Sequence, residues 1–500
     1  MKLAFFLVLL LTVTTAWSSP VVKTPRDRNN KPYKVVCYLG SWANYRWGDG
    51  KYKIEDIDPF ICTHLIYGFA KLDFNNKIAA YDPYLDLVEN WGLGAYQRFN
   101  NLRKINPELT TILAIGGWNE GSVKYSNMAR DPAKRKIFID SCVEFLLHNG
   151  FDGLDMDWEY PANRGGRPED KQDFVTLLKE LKQAFSPHGL LLTAAVSAGK
   201  KTVETAYDIP KVSQYLDIIN IMTYDFHGGW DNKTGHNSPI YPRPNESPED
   251  QTFNVDFAIN FWIKNGADPK KITMGLPLYG RCFTLKDTSI NGFDAPVTGP
   301  GQQGPFTREP GMMGYIELCP NLKHSQWTIV RDPHHKVPYM YKDRQWCGYD
   351  DAESFRIKTD YIKKMDLGGG MVWSLETEDF NGKCHGQRYP LLTILQEGLN
   401  GPIERVTTTS RPEASSTASS SGPSPGGSTQ SPQPGSTVDD GNTLVCEKEG
   451  MFRYPKDCRR FYQCVRNGSS FKIFTFQCPI KTVFDTNINA CSHPELVTGC

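Results

Sequence analysis

The chain has 500 residues, and 56 Lys and Arg against 56 Asp and Glu leave no formal net charge. That excludes a surface built mainly to hold a polyanion such as nucleic acid, which needs a basic face. With 39% of residues hydrophobic and 12% aromatic, wholesale disorder is excluded too, and the balance suits a neutral ligand with apolar faces to stack on.

Residues 1–16 begin with Met1 and Lys2, continue as an apolar run from Leu3 to Val13 and end in the small residues Thr14-Thr15-Ala16. This is the pattern of a secretory signal peptide, so the mature chain is expected to be secreted and extracellular, where disulfides persist. The run is too short to span a bilayer, and no later stretch reaches about 18 uncharged apolar residues. No membrane association is expected.

From residue 30 to 400, short β-rich runs alternate with longer helix-compatible segments. Strands are predicted at Lys34–Gly40, His64–Ala70, Thr111–Gly116, Gly153–Trp158, Leu191–Ser197, Asp217–Thr223, Ile272–Tyr279 and Gly370–Ser374. Phe138–Asn149 and Lys171–Phe185 carry apolar residues at helical spacing between them. Eight strands separated by crossover-length segments predict an α/β chain folded as a parallel (β/α)8, or TIM, barrel. The interval from Tyr279 to Gly370 is too long for one helix. It predicts an inserted α+β subdomain at about 280–369, between the seventh and eighth strands.

Between Thr407 and Thr437, 25 of 31 residues are Ser, Thr, Pro or Gly, a composition that cannot bury enough apolar surface to order itself. Residues 401–443 therefore read as a linker, and 444–500 as a small disulfide-rich β module that holds six of the thirteen cysteines. Acceptor triplets for N-glycosylation begin at Asn232, Asn245 and Asn467.

The segment from Phe151 to Pro161, Phe-Asp-Gly-Leu-Asp-Met-Asp-Trp-Glu-Tyr-Pro, carries the most chemistry. Side chains alternate along a strand, so Asp155, Asp157 and Glu159 share one face while Leu154, Met156 and Trp158 share the other. In a barrel the acids then point towards the axis and the apolar set packs against the helices. Asp152 has the opposite parity and needs a bend or a supporting role. Like-charge repulsion among three close carboxyls raises at least one pKa. Glu159 comes last, at the carboxyl end of the strand, where barrel enzymes carry their catalytic groups.

This segment matches the Asp-x-x-Asp-x-Asp-x-Glu signature of family 18 glycoside hydrolases, the chitinases, and the resemblance extends over roughly residues 33 to 400. Ala114-Ile-Gly-Gly-Trp-Asn119 resembles the family's strand-three motif, with Ala114 where many members have a supporting Ser. Met222-Thr-Tyr-Asp225, Leu278-Tyr-Gly-Arg281 and Met371-Val-Trp373 resemble the motifs of strands six, seven and eight. The resemblance implies a retaining endochitinase that hydrolyses β-1,4 bonds between N-acetylglucosamine units by substrate-assisted catalysis. Glu159 would be the general acid. Asp157 would orient the acetamido group and share a proton with Asp155, and Tyr224 would hydrogen-bond the acetamido carbonyl. The implied substrate-binding set is Tyr38, Trp42, Phe69, Gly116, Gly117, Trp118, Asn119, Tyr160, Met222, Thr223, Asp225, Tyr279, Arg281 and Trp373. For each aromatic the competing reading is ordinary core packing, which weighs most on Phe69. No metal and no other cofactor are expected, since no His/Cys cluster with ligand spacing occurs in the barrel.

In the tail, Cys446, Cys458, Cys464, Cys478, Cys491 and Cys500 allow fifteen connectivities by spacing alone. Phe452-Arg-Tyr-Pro-Lys-Asp-Cys458 followed by Phe461-Tyr-Gln-Cys464 resembles peritrophin-A type chitin-binding modules, although the first gap is short for them. That resemblance implies the pairs Cys446–Cys464, Cys458–Cys500 and Cys478–Cys491. Tyr454, Phe461, Tyr462, Phe471, Phe474, Phe476 and Phe484 are candidate stacking rings. Seven cysteines remain, so at least one is free. The barrel resemblance implies Cys37–Cys62 and Cys319–Cys384, with Cys142, Cys282 and Cys347 reduced.

The expected partners are chitin and chitooligosaccharides, not nucleic acid or membrane, and the chain is expected to be a monomer. A reading from another class is a chitinase-like lectin that binds the polymer without cutting it. Non-catalytic relatives typically replace the acid at the end of strand four, and here it is Glu159. A structural protein of a chitinous matrix would leave the barrel unused, and the appended module favours chitin over N-linked glycans.

Overall fold

Eight short runs form parallel strands: β1 (Lys34–Gly40), β2 (His64–Leu72), β3 (Thr110–Gly116), β4 (Gly153–Asp157), β5 (Leu191–Ser197), β6 (Ile218–Met222), β7 (Ile272–Pro277) and β8 (Gly369–Trp373). Each pairs with the next, and β8 pairs with β1, so the sheet closes. The computed structural model describes residues 26–323, 326–404, 435–439, 442–454, 457–467, 470–478, 483–486 and 490–492. Contacts divide them into two units, with the boundary between Thr407 and Thr408. The expected signal peptide and most of the expected linker lie outside the described residues.

Every residue of β3, β4 and β5 is buried, as expected of strands covered on both faces. Alternation sorts the side chains into two cores. Val36, Tyr38, Ile66, Ile112, Ala114, Leu191, Ala195, Ile218 and Met371 pack together inside the barrel. Leu154, Met156 and Trp158 instead join the larger core shared with the helices. One such helix, Pro132–Asn149, starts where the Asp131 carboxylate accepts the backbone N–H groups of Ala133 and Lys134, and stops at Gly150 with φ 77°. Another, Asp170–Phe185, buries Phe174, Leu177, Leu178, Leu181 and Phe185 along one stripe.

Between β7 and β8 the chain builds a six-stranded antiparallel sheet with the helix Tyr315–Lys323 beside it. This inserted sheet corrects one expectation. Cys282 and Cys347 are not reduced but form a disulfide. They lie opposite each other on neighbouring antiparallel strands with Cα atoms 4.1 Å apart, a register that a sequence separation of 65 conceals from the sequence. Cys37–Cys62 and Cys319–Cys384 are also bonded, and Cys142 is a buried free thiol. Cys319, Cys384 and Asp379 group their ligand-type atoms together, but the two sulfurs are bound to each other.

In the second unit Gly435–Asp439 pairs with Asn442–Cys446, so strand structure begins inside the segment that composition assigns to the linker. A three-stranded sheet follows, formed by Gly450–Tyr454, Asp457–Asn467 and Ser470–Gln477. The Cys446–Cys464 bond sits in a small core with Leu444, Tyr454 and Tyr462. Cys458 and Cys478 are both disulfide-bonded, while Cys500 and the side chain of Cys491, their expected partners, lie outside the described residues. Tyr454 and Tyr462 are buried in this core, and Phe484 is buried against Phe461. Phe461 stacks between Phe484 and Phe476, at 4.2 Å and 5.2 Å, which backs the exposed Phe476 ring. The Phe474 and Asn467 side chains lie outside the described residues, whereas Asn232 and Asn245 are exposed. No helix among the described residues is long and apolar enough to cross a membrane.

Candidate functional site

Strand β4 delivers its acids into the barrel one layer at a time. Asp155 is beside Ala114 in register and Asp157 beside Gly116. Asp155 accepts hydrogen bonds from the Tyr38 hydroxyl at 2.7 Å, the Thr193 hydroxyl at 2.5 Å and the Asn220 amide at 3.1 Å. Those donors come from β1, β5 and β6, so Ala114 on β3 leaves no gap where a hydroxyl is missing. Burial still pushes Asp155 up to about 6, against the pull of its three donors. One layer higher, burial first and then the charges of Glu159 and Asp155 hold Asp157 well above the usual carboxylate range. Its Oδ1 is buried with no hydrogen-bond partner. Glu159, only 9% exposed, is pushed up to about 7 by burial. The Tyr160 hydroxyl and the Arg164 charge pull the other way, and Asp225 adds to the rise. The stack therefore holds at least one proton near neutral pH.

Asp152, at the amino end of the same strand, faces a different setting. Its carboxylate receives Arg103 at 2.7 Å, Arg28 at 3.2 Å and the Thr111 backbone N–H at 3.1 Å. It ties the barrel floor together, away from the other acids.

Above Asp157 and Glu159 opens a cleft of about 1290 Å³. Tyr224 lines it, as do Trp42, Phe69, Gly116, Gly117, Trp118, Asn119, Tyr160, Met222, Asp225, Tyr279, Arg281 and Trp373. Three residues of the sequence-derived set are not on its wall. Asp155 and Tyr38 lie beneath, bonded to each other. Thr223 is fully buried, its hydroxyl donating to the Gly275 carbonyl at 2.7 Å, so it secures β6 to β7. Phe69 does not disappear into the core. It stacks 6.2 Å from Trp42 and 5.9 Å from Trp373, making one aromatic wall. Gly116 and Gly117 adopt φ of 116° and 85°, and a Cβ on Gly116 would meet the Asp157 carbonyl at 2.1 Å. Only glycine lets β3 turn this closely over the acids. On the opposite side Asp225 accepts Arg281 at 2.7 and 2.9 Å and the Tyr279 hydroxyl at 2.7 Å.

Sequence reading missed Tyr45, Arg46, Tyr81, Trp230, Glu309 and Glu376, which also line the cleft. Tyr45 and Glu376 stand on short 3-10 helices and the others on loops, all outside the recognised motifs. The signal for Tyr45 was its spacing from Trp42; the others carried none. Thr193 and Asn220 were missed too, although Thr193 is beside Asp155 in register and Asn220, one strand further on, reaches it with its amide.

A long cleft with aromatic faces suits pyranose rings, whose C–H patches pack on such planes. A proton-bearing carboxyl at its floor can protonate a leaving oxygen, and an unpartnered carboxylate oxygen beside it can receive an N–H.

Residues 34–378 match the glycosyl hydrolases family 18, and residues 446–500 match the chitin binding Peritrophin-A domain. Chitotriosidase-1 of Mus musculus is 38% identical over 473 residues, 92% of this chain and 95% of that protein. Probable chitinase 10 of Drosophila melanogaster is 41% identical over 401 residues, 78% of this chain but only 17% of that much longer protein. The crystal structure of the Group IV chitinase of Ostrinia furnacalis superposes with a TM-score of 0.71 at 44% identity, covering 73% of this chain and 99% of that one.

Proposed function

The chain belongs to the family 18 glycosyl hydrolases, and on that premise we propose that it is a secreted, retaining chitinase that cuts β-1,4 bonds between N-acetylglucosamine units with the substrate's own acetamido group as nucleophile. The observation that carries this reading is the place of Glu159, buried at the floor of an aromatic cleft beside the unpartnered Asp157 oxygen, where burial raises its pKa towards neutrality. Glu159 gives its proton to the glycosidic oxygen as the C1–O bond breaks. The acetamido carbonyl oxygen attacks C1 from the other face and closes an oxazolinium ring. Asp157 receives the acetamido N–H on its unpartnered oxygen and balances the positive charge, with Asp155 beneath it sharing a proton. Tyr224 holds the carbonyl oxygen in line. Water then attacks C1, passes a proton to the Glu159 carboxylate and opens the ring. Two displacements at C1 leave the configuration retained.

The module contributes retention rather than chemistry. By binding insoluble polymer it raises the local concentration of cleavable bonds at the cleft. A non-catalytic chitin-binding lectin is the rival reading, and Glu159 together with the unpartnered Asp157 oxygen argues against it.

The test is a time course on a defined N-acetylglucosamine hexamer, with the anomer of the first products read by NMR. A β-anomer burst from the wild type and none from Glu159→Gln is the expected outcome. No cleavage by the wild type would leave the lectin, and an initial α-anomer would rule out retention.

A further inference from the structure

We infer that Arg164 is a positioning residue of the cleavage site, fixing the Trp118 indole as a rigid cleft wall and tying it to the backbone of Glu159. The inference rests on the function proposed above and adds a residue to it. Arg164 lies in the loop after β4, exposed, with φ 51°. Its guanidinium carbon sits 3.5 Å from the centre of the Trp118 ring. One nitrogen, Nη1, donates to the Trp118 carbonyl at 2.9 Å and to the Glu159 carbonyl at 3.1 Å. One side chain therefore bridges the loops that follow β3 and β4, at a cleft-lining residue of each.

The geometry explains a feature that burial does not. Trp118 is 59% exposed, so packing alone leaves its ring free to change rotamer. A planar cation on one face, bonded at the ring's own backbone, removes that freedom. The loop that presents Arg164 is itself held. The Ser122 hydroxyl donates to the Tyr160 carbonyl at 2.9 Å, and Asp170 accepts the backbone N–H of Arg167 at 2.8 Å and of Ala162 at 3.3 Å. Ser122 in turn accepts the Trp158 indole N–H at 2.6 Å. The brace thus runs from the outer core through this loop to the cleft wall.

The same guanidinium brings a charge to Glu159. The other groups that act on Glu159 are Asp157 on its own strand, Tyr160 beside it, Asp225 and Tyr224 from the end of β6, and Tyr207 after β5. Asp225 is already paired with Arg281. Arg164 is therefore the cation that offsets this acidic surrounding and lowers the pH at which Glu159 gives up its proton.

Two variants separate the two effects. Arg164→Ala removes both stacking and charge, so KM for the hexamer rises about threefold to tenfold, kcat changes less, and the alkaline limb of kcat/KM moves to higher pH. Arg164→Lys keeps the charge and loses the planar stack, so the limb stays near its wild-type position while KM still rises. Hexamer affinity read from tryptophan fluorescence in the Glu159→Gln background gives the stacking effect without any turnover. An Arg164→Ala enzyme with wild-type KM and an unmoved limb would overturn the inference, as would a lower thermal midpoint with unchanged kinetics. If the wild type binds but never cuts, the proposed function fails instead, and the fluorescence arm still decides the role of Arg164 at Trp118.

Discussion

Asp152, just before β4, and Asp157, at its last residue, are both buried, at opposite ends of the barrel. At the amino end two arginines and a backbone N–H surround the Asp152 carboxylate. At the carboxyl end Asp157 faces two other acids, and one of its oxygens has no partner. A buried carboxylate supplied with cations is a structural part. A buried carboxyl denied them is held in readiness, and the protein gives up stability to keep it so. The difference between the two ends, rather than the number of acids, identifies the working one.

The comparison breaks first at Glu159. Glu159→Gln should fold normally and lose about 10³-fold in kcat on the hexamer, within the span ascribed to general acid catalysis. A variant with comparable turnover would remove the acid from the account. Next, Asp157→Asn should cost about 10²-fold in kcat with the thermal midpoint nearly unchanged. Asp152→Asn should do the reverse: about 2 kcal/mol of stability, seen as a drop of a few degrees in the midpoint, with kcat kept. Equal and mild kinetic losses in both would erase the distinction between the two ends.

The pH dependence of stability sharpens the same point. A carboxyl pushed up to about 7 from its ordinary 4.5 keeps its proton in the folded chain where the unfolded chain has released it. Glu159 thus withdraws stability as pH rises from 4.5 to about 7, by about 3 kcal/mol in all. Glu159→Gln has no such proton, so its stability relative to wild type should grow across that window in denaturant titrations. A gap independent of pH would mean that Glu159 is not held protonated by the fold. The smallest effect belongs to the module. Phe476→Ala in the full chain should weaken retention on insoluble chitin by about threefold and leave hexamer cleavage alone.

Strand alternation made much of this legible in advance. It assigned Asp155, Asp157 and Glu159 to the axis and Leu154, Met156 and Trp158 to the helices, because a barrel strand buries both faces. The partners of Asp155 were hidden, since Tyr38, Thr193 and Asn220 come from three other strands and meet only through register. Cys282–Cys347 was hidden for the same reason, inside an antiparallel sheet with no sequence signature for its pairing. Thr223 shows the converse limit. Its place in a motif suggested a ligand contact, while its hydroxyl is bound to the neighbouring strand. Arg164 lay in a loop whose conformation no periodicity reports.

The claim that matters most is that an acyl-amino oxygen of the sugar attacks while Glu159 releases the leaving group. The most direct measurement compares initial cleavage rates of a glucosamine hexamer and its fully N-acetylated counterpart under one set of conditions. The account predicts that only the acetylated oligomer is cut. Equal rates for both would contradict it.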